Sequence, residues 1–455
     1  MTSRLFGTDG IRGPITSAKL APENMCRIGR ILGGLALKSG KNSILIGRDT
    51  RASGNYIELA LSSGITSTGI NCQLLGIIPS AAVAHATQAQ GAAFGLVISA
   101  SHNPACDNGI KFFGPDGFKI ELQLEQLIEE QYNNSSILLA PPSPSPGLCI
   151  QNESAQQNYL EALLSGIDRC VLRDKRIVID CAHGAASFVA PQLFSSLGLD
   201  VKIIGASPDG YNINQDVGSE HPKNLEEAVI DFRADLGIAF DGDADRVVFA
   251  NEKGTLINGD AILALFAIFL QKKSMLENNT LVSTIMSSVA LDQALLPLNI
   301  KVEKTPVGEI YVARDICQNN FTLGGENSGH LIMFPHTYTG DGIYFALQLI
   351  EIICSSARTI SELTNFYQPV PSILKNLDVS KKIPLSELPS TSRLIADSNE
   401  SLENLGRVVV RYSGTENKLR ILVEASSSQK CKNIAQDIAA EYEREARHFL
   451  KESLI

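Results

Sequence analysis

Leu236-Gly237-Ile238-Ala239-Phe240-Asp241-Gly242-Asp243-Ala244-Asp245-Arg246-Val247-Val248-Phe249 decides how this chain reads. A short apolar run ends at three aspartates spaced i, i+2 and i+4, with only glycine and alanine between them. The run reads as a buried strand, so the carboxylates fall on the loop at its carboxyl end, where α/β proteins place their chemistry. Such a set of oxygen ligands suits a hard divalent cation, Mg²⁺ first. One isolated aspartate would be a helix cap or a solvated turn; three at alternating positions favour metal. An EF-hand is excluded although Glu252 stands at position 12 counted from Asp241. Position 6 is Arg246 instead of the glycine its sharp turn needs, and Val247-Val248-Phe249 follows at once.

Outward from that loop, further apolar runs end in glycine, serine or aspartate: 43–46 before Gly47-Arg48-Asp49, 95–98 before Ser99, and 176–179 before Asp180. Helix-length segments such as 23–38 and 56–68 lie between them, which argues for repeated parallel α/β layers. With 455 residues and 44% hydrophobic content, the chain has room for three or four domains. Boundaries are expected at the run Pro141 to Gly147, near 251–258 where Glu252-Lys253-Gly254 reads as a hairpin turn, and around 367–374. The units so defined are 1–150, 151–252, 253–368 and 369–455. The last is a small α+β domain, with strands at 407–411 and 419–424 and a final helix over 429–450.

Composition narrows the partners. A net charge of -10 without a lysine or arginine block argues against nucleic acid and anionic membrane, so an anionic ligand requires positive charge gathered locally. The apolar run 261–270 is too short to span a bilayer, and the amino terminus carries no secretory signal, so a cytoplasmic protein is expected. Nine cysteines without a C-x-x-C pair read as reduced thiols.

Four other loops carry chemistry. Ile98-Ser99-Ala100-Ser101-His102-Asn103-Pro104 puts a candidate nucleophile, Ser101, just after a strand, although Ser-His adjacency alone reads more readily as a turn. Lys111 follows closely and can supply positive charge or proton transfer. Phe6-Gly7-Thr8-Asp9-Gly10-Ile11-Arg12-Gly13 is a glycine-rich arm with one arginine. Gly324-Gly325-Glu326-Asn327-Ser328-Gly329-His330 suits sugar hydroxyls. Arg411-Tyr412-Ser413-Gly414-Thr415-Glu416-Asn417 offers a phosphate cradle. Together they point to phosphoryl transfer on a sugar phosphate.

At these residues the chain resembles the α-D-phosphohexomutase superfamily, and its opening arm most resembles the bacterial phosphoglucosamine mutase branch. The resemblance runs from residue 4 to about residue 424, through five motifs in order. It implies four domains around a central cleft, three α/β with mixed sheets and a smaller α+β one. It implies a phosphorylated Ser101, with Asp241, Asp243 and Asp245 as Mg²⁺ ligands and the seryl phosphate completing the site. His102, Lys111 and Arg12 would serve phosphate contact and proton transfer. Arg246, the Thr305 to Gly308 segment, Glu326, Ser328 and His330 would bind the sugar, and Arg411, Ser413, Gly414, Thr415 and Arg420 the phosphate that is not transferred. The expected activity is an isomerase interconverting glucosamine 6-phosphate and glucosamine 1-phosphate, in a monomer or homodimer, with a sugar 1,6-bisphosphate as intermediate and activator. Phosphoglucomutase or phosphomannomutase activity is the alternative, and a serine-nucleophile sugar phosphatase a more distant one. Asn327 stands where that branch typically has glutamine and leaves the hexose open. Ala244 stands where glycine is common and adds one methyl group that should not disturb the ligands.

Overall fold

The computed structural model describes residues 5–7, 9–134, 143–169, 172, 174–413 and 417–452. Four sheets follow one another along the chain. In the first, strands Ser43–Arg48, Asn71–Ile77, Phe94–Ile98 and Cys149–Gln151 run parallel, while Asp107–Phe113 and Ile11–Pro14 add an antiparallel side. In the second, Leu236–Phe240, Arg176–Asp180 and Asp200–Ile204 are parallel and Val247–Ala250 returns antiparallel beside Leu236–Phe240. In the third, Lys301–Thr305, Thr280–Thr284 and Leu323–Gly325 are parallel and Leu331–Met333 is antiparallel. The fourth is antiparallel throughout, Ser372–Asp378 and Arg407–Tyr412 flanking Lys418–Glu424. The first three sheets are mixed, as the resemblance implies, because a hairpin adds antiparallel pairing on one side of the parallel strands in each.

These hairpins place the loops. Phe240 pairs with Val247, so Asp241 to Arg246 is the connection between two buried strands of the second sheet. The 326–330 loop occupies the same position in the third sheet, and an isolated bridge between Arg246 and His330 ties the two together. Glu252-Lys253-Gly254 forms the expected turn, with the Asn251 N–H donating to Thr255 O at 2.9 Å. The apolar run at 261–270 is a helix, Gly259–Lys272, buried within the third unit, where Phe266 meets Phe345 of helix Gly342–Ser356 edge-on at 5.0 Å. A helix apolar on all sides belongs in such a core. Among the described residues no helix is long and apolar enough to cross a membrane.

Helices Pro22–Lys38 and Gly54–Thr66 cross over the outer face of the first sheet through two glycines. A Cβ on Gly29 would stand 2.3 Å from Leu61 O, and one on Gly64 2.1 Å from Cys26 O. Gly64→Ala should therefore force the helices apart and cost about 1–3 kcal/mol, the usual penalty of overpacking. A urea unfolding midpoint equal to that of the unaltered protein would contradict this contact.

Candidate active site

Ser101 lies on the loop after strand Phe94–Ile98 and takes a left-handed backbone, φ 53°. A non-glycine residue there is held by its surroundings. The Ser101 N–H donates to Ser99 Oγ at 2.8 Å, and its carbonyl accepts from Asn214 Nδ2 at 2.8 Å and Arg51 Nη2 at 3.0 Å. Arg51, fully buried, also donates to the carbonyls of Asn103, Pro104 and Asp107 and pairs through Nε with Asp49 at 2.9 Å. Asp49 in turn accepts from Ser99 Oγ at 2.7 Å. Ser101 Oγ is thereby aimed at Asp241, to whose Oδ2 it donates at 2.5 Å.

Asp241, Asp243 and Asp245 bring one carboxylate oxygen each within 4.8 Å of the others, and all three are buried. Burial, reinforced by the Asp245 and Asp243 carboxylates, pushes Asp241 up to about 7. Burial and the Asp245 charge also raise Asp243. Lys111 Nζ donates to Asp243 at 2.5 Å and to Asp245. Burial disfavours its charge, but Asp243, Asp245 and Asp9 outweigh it and keep the ammonium protonated. Asp243 Oδ1 is buried with no hydrogen-bond partner. Converging carboxylates with an orphaned oxygen fit a hard divalent cation, whose charge would relieve that crowding. Ala244 adopts φ 58°, so the methyl group sits on a left-handed backbone that disfavours it, with the ligand positions still converging.

A cleft of about 740 Å³ opens beside this cluster, reached by all four units. Arg12, His102 and Lys111 line it from the first unit, Arg246 from the second, Gly308, Glu326 and His330 from the third, and Arg411, Ser413 and Arg420 from the fourth. His102 Nδ1 lies 3.4 Å from Ser101 Oγ. Burial, with the Arg246 and Arg12 guanidiniums, pushes this imidazole down to about 3, so it is neutral. His330 is the opposite case: burial opposes its charge, but Asp245 at 2.9 Å raises it to about 10. Arg411 and Arg420 sit directly opposite each other on adjacent antiparallel strands. Like charges so placed repel, and an anion between them removes the cost.

Several expected residues lie elsewhere. Ser328 and Asn327 are exposed. Asn327 lines a smaller cavity beneath the loop, with Val247 and Gly259, and is not among the cleft residues. Thr305 ends its strand with its hydroxyl on the carbonyls of Ser283 and Pro306, while Pro306, Val307 and Gly308 form the cleft wall. Gly414 and Thr415 lie outside the described residues, as do Thr8 of the amino-terminal arm and Pro141 and Pro142 of the expected connector. Arg51, Asp49, Asn214 and Ser80, whose hydroxyl donates to Asp243, escaped sequence reading. The charged residues after strand Ser43–Arg48 were the only signal for Asp49 and Arg51, and Asn214 and Ser80 had none.

Against known proteins, the four parts of one family match in order. Phosphoglucomutase/phosphomannomutase alpha/beta/alpha domain I matches residues 3–137, domain II 157–254, domain III 258–370 and the C-terminal domain 374–441. The phosphoglucosamine mutase of Myxococcus xanthus is 41% identical over 442 residues, 96% of each chain. A phosphoglucomutase/phosphomannomutase family protein of Burkholderia thailandensis superposes with a TM-score of 0.81 at 23% identity, over 97% of this chain and 98% of that one. The Aspergillus fumigatus N-acetylphosphoglucosamine mutase, solved with GlcNAc-6P and magnesium, gives 0.69 at 18% identity, over 96% and 95%. The chain belongs to the phosphoglucomutase/phosphomannomutase family, the phosphohexomutases, a class of isomerases.

Arg51→Met would leave Asp49 charged and unpaired in the interior, which costs about 3–5 kcal/mol for buried pairs. Unfolding in urea should show that loss, and a variant of unchanged stability would remove Arg51 from its assigned place.

Proposed function

We propose that the chain interconverts glucosamine 6-phosphate and glucosamine 1-phosphate in the cytoplasm, using a phosphoryl group carried on Ser101. The observation that supports this most is the pairing of a buried serine hydroxyl, aimed at a carboxylate triad, with a facing arginine pair across one cleft. The Myxococcus xanthus relative, named a phosphoglucosamine mutase, supports the amino sugar as substrate. The division into units at residues 150, 252 and 368 is part of this reading.

Asp241, Asp243 and Asp245 would hold Mg²⁺, with phosphorylated Ser101 completing the set; the ion supplies Lewis-acid charge against the phosphoryl oxygens. The chain's own residues do the rest. Arg411, Ser413 and Arg420 bind the phosphate that stays on the sugar, and Glu326 and His330 receive the hydroxyls. Lys111 and Arg12 neutralise charge at the transferring group, which passes through a loose transition state needing position and counter-charge above all. The Ser101 Oγ–P bond breaks as a bond to the sugar O1 or O6 forms, and the proton of that sugar hydroxyl ends on the freed Ser101 Oγ. The resulting bisphosphate turns end over end and returns its other phosphoryl group to Ser101. Free sugar 1,6-bisphosphate primes an unphosphorylated enzyme by the same step.

The test is kcat/KM for glucosamine, glucose and mannose phosphates in parallel, with Mg²⁺ and a trace of bisphosphate; glucosamine phosphate should be preferred. Preference for another hexose would overturn the substrate and keep the chemistry. Ser101→Ala should lose turnover by orders of magnitude while still binding sugar phosphate by calorimetry, because covalent transfer disappears and the distal cradle remains. Normal turnover by that variant would end the assignment.

Metal uptake has a defined pH dependence. Asp241 is pushed up to about 7, so below that pH it is protonated and a cation must displace the proton. Binding of Mg²⁺ to the unphosphorylated protein should weaken as pH falls through 7, with roughly one proton released per ion. Calorimetry in two buffers of different ionisation enthalpy measures that proton; an affinity constant between pH 6 and 8 would contradict it.

A further inference from the structure

The turn Gly114 to Lys119 lies outside the loops that the sequence motifs mark, though Lys119 itself lines the cleft, and through it the first unit reaches into the third. Strand Asp107–Phe113 ends in a tight reversal closed by the Gly114 N–H on Phe118 O at 2.7 Å and by a bridge between Phe113 and Lys119. Phe118 meets Tyr338 edge-on at 5.4 Å and Phe334 at 6.2 Å, and packs against a cluster that includes Val282, Val312 and Ile316. The wedge thus delivers Lys119, whose ammonium donates to Asp9 at 2.5 Å and to Glu309.

Both partners lead to groups already placed around the cleft. Asp9 holds Arg12 at 3.1 Å. Glu309 opens helix Glu309–Asn319, directly after Gly308, whose N–H holds the Glu326 carboxylate at 3.1 Å. Its other oxygen accepts from Thr339 Oγ1 and from the Gly340 N–H at 2.7 Å. Gly340 is pressed on the metal loop, where a Cβ would stand 2.4 Å from Asp245 O. One ammonium therefore links the arm of Arg12 with the walls that face the sugar and the triad.

We propose that Lys119 is a positioning residue of the mutase: with Glu309 it forms a clamp between the first and third units that sets the spacing between Arg12 and the Gly308 and Glu326 side of the cleft. The inference rests on phosphohexomutase chemistry and not on the choice of hexose, so activity is measured on whichever hexose phosphate the unaltered enzyme turns over fastest. Without the ammonium, the Asp9 and Glu309 carboxylates face each other and the units separate.

Lys119→Met should lower kcat about 10- to 100-fold, the scale expected when reacting groups are misplaced by an ångström or so. KM should stay within about threefold and more bisphosphate should escape per turnover, because a loosened cleft loses its intermediate. Adding Glu309→Gln to Lys119→Met should recover part of kcat by removing the repulsion, a rescue that lost packing would not give. Three results would each overturn the clamp: kcat within about threefold of the unaltered enzyme, a defect confined to KM, or a double variant as impaired as the product of the singles. Should Lys119→Met fail to fold, Lys119→Arg and Glu309→Gln decide instead. The first should stay within about threefold in kcat and the second should fall below it; the reverse order would refute the clamp.

Discussion

Arg51 has five N–H donors, and in this structure every donor nitrogen is occupied inside the protein: Nε by Asp49, Nη1 by the carbonyls of Pro104 and Asp107, Nη2 by those of Ser101 and Asn103. A planar guanidinium with fixed donor directions thus writes the path of the 101–107 loop in backbone terms. The left-handed Ser101, its aim at Asp241 and the placing of His102 at the cleft follow from that path. Asp49, equally buried, makes the arrangement electrically neutral.

The cleft reconciles an acidic protein with an anionic ligand. Net charge is -10, yet Arg12, Lys111, Lys119, Arg246, Arg411 and Arg420 converge on one cavity. Several carboxylates near them are tied to cations: Asp245 to Lys111 and His330, Glu309 to Lys119, Asp9 to Arg12 and both lysines. The register of the fourth sheet sets Arg411 and Arg420 face to face. Such a fixed arrangement stabilises a negative charge without having to reorganise.

What could be read from the sequence was local. The Asp241 to Arg246 hairpin, the serine after its strand, the acceptor-rich loop at 326–330 and the arginine strand are contiguous motifs whose chemistry shows in residue type and spacing. What could not be read depends on partners distant in sequence. Arg51 works through carbonyls 50 to 56 residues away, Asn214 through a carbonyl 113 residues away, and Ser80 through a carboxylate 163 residues away. Which member of a loop faces inward was also hidden: Glu326 and His330 line the cleft while Asn327 and Ser328 between them are exposed. Ala244 looked harmless by volume, but its left-handed backbone is a matter of chain direction that composition does not record.

Ser101 is only 1% exposed. Water reaches an oxygen so enclosed rarely, and exclusion of water suppresses hydrolysis of a reactive group carried there. With the proposed phosphoryl group on Ser101, such an enclosure would keep it through the interval between substrates. On that proposal, readiness would be a stored property of each molecule, set by its last encounter with a phosphorylated sugar and slow to fade.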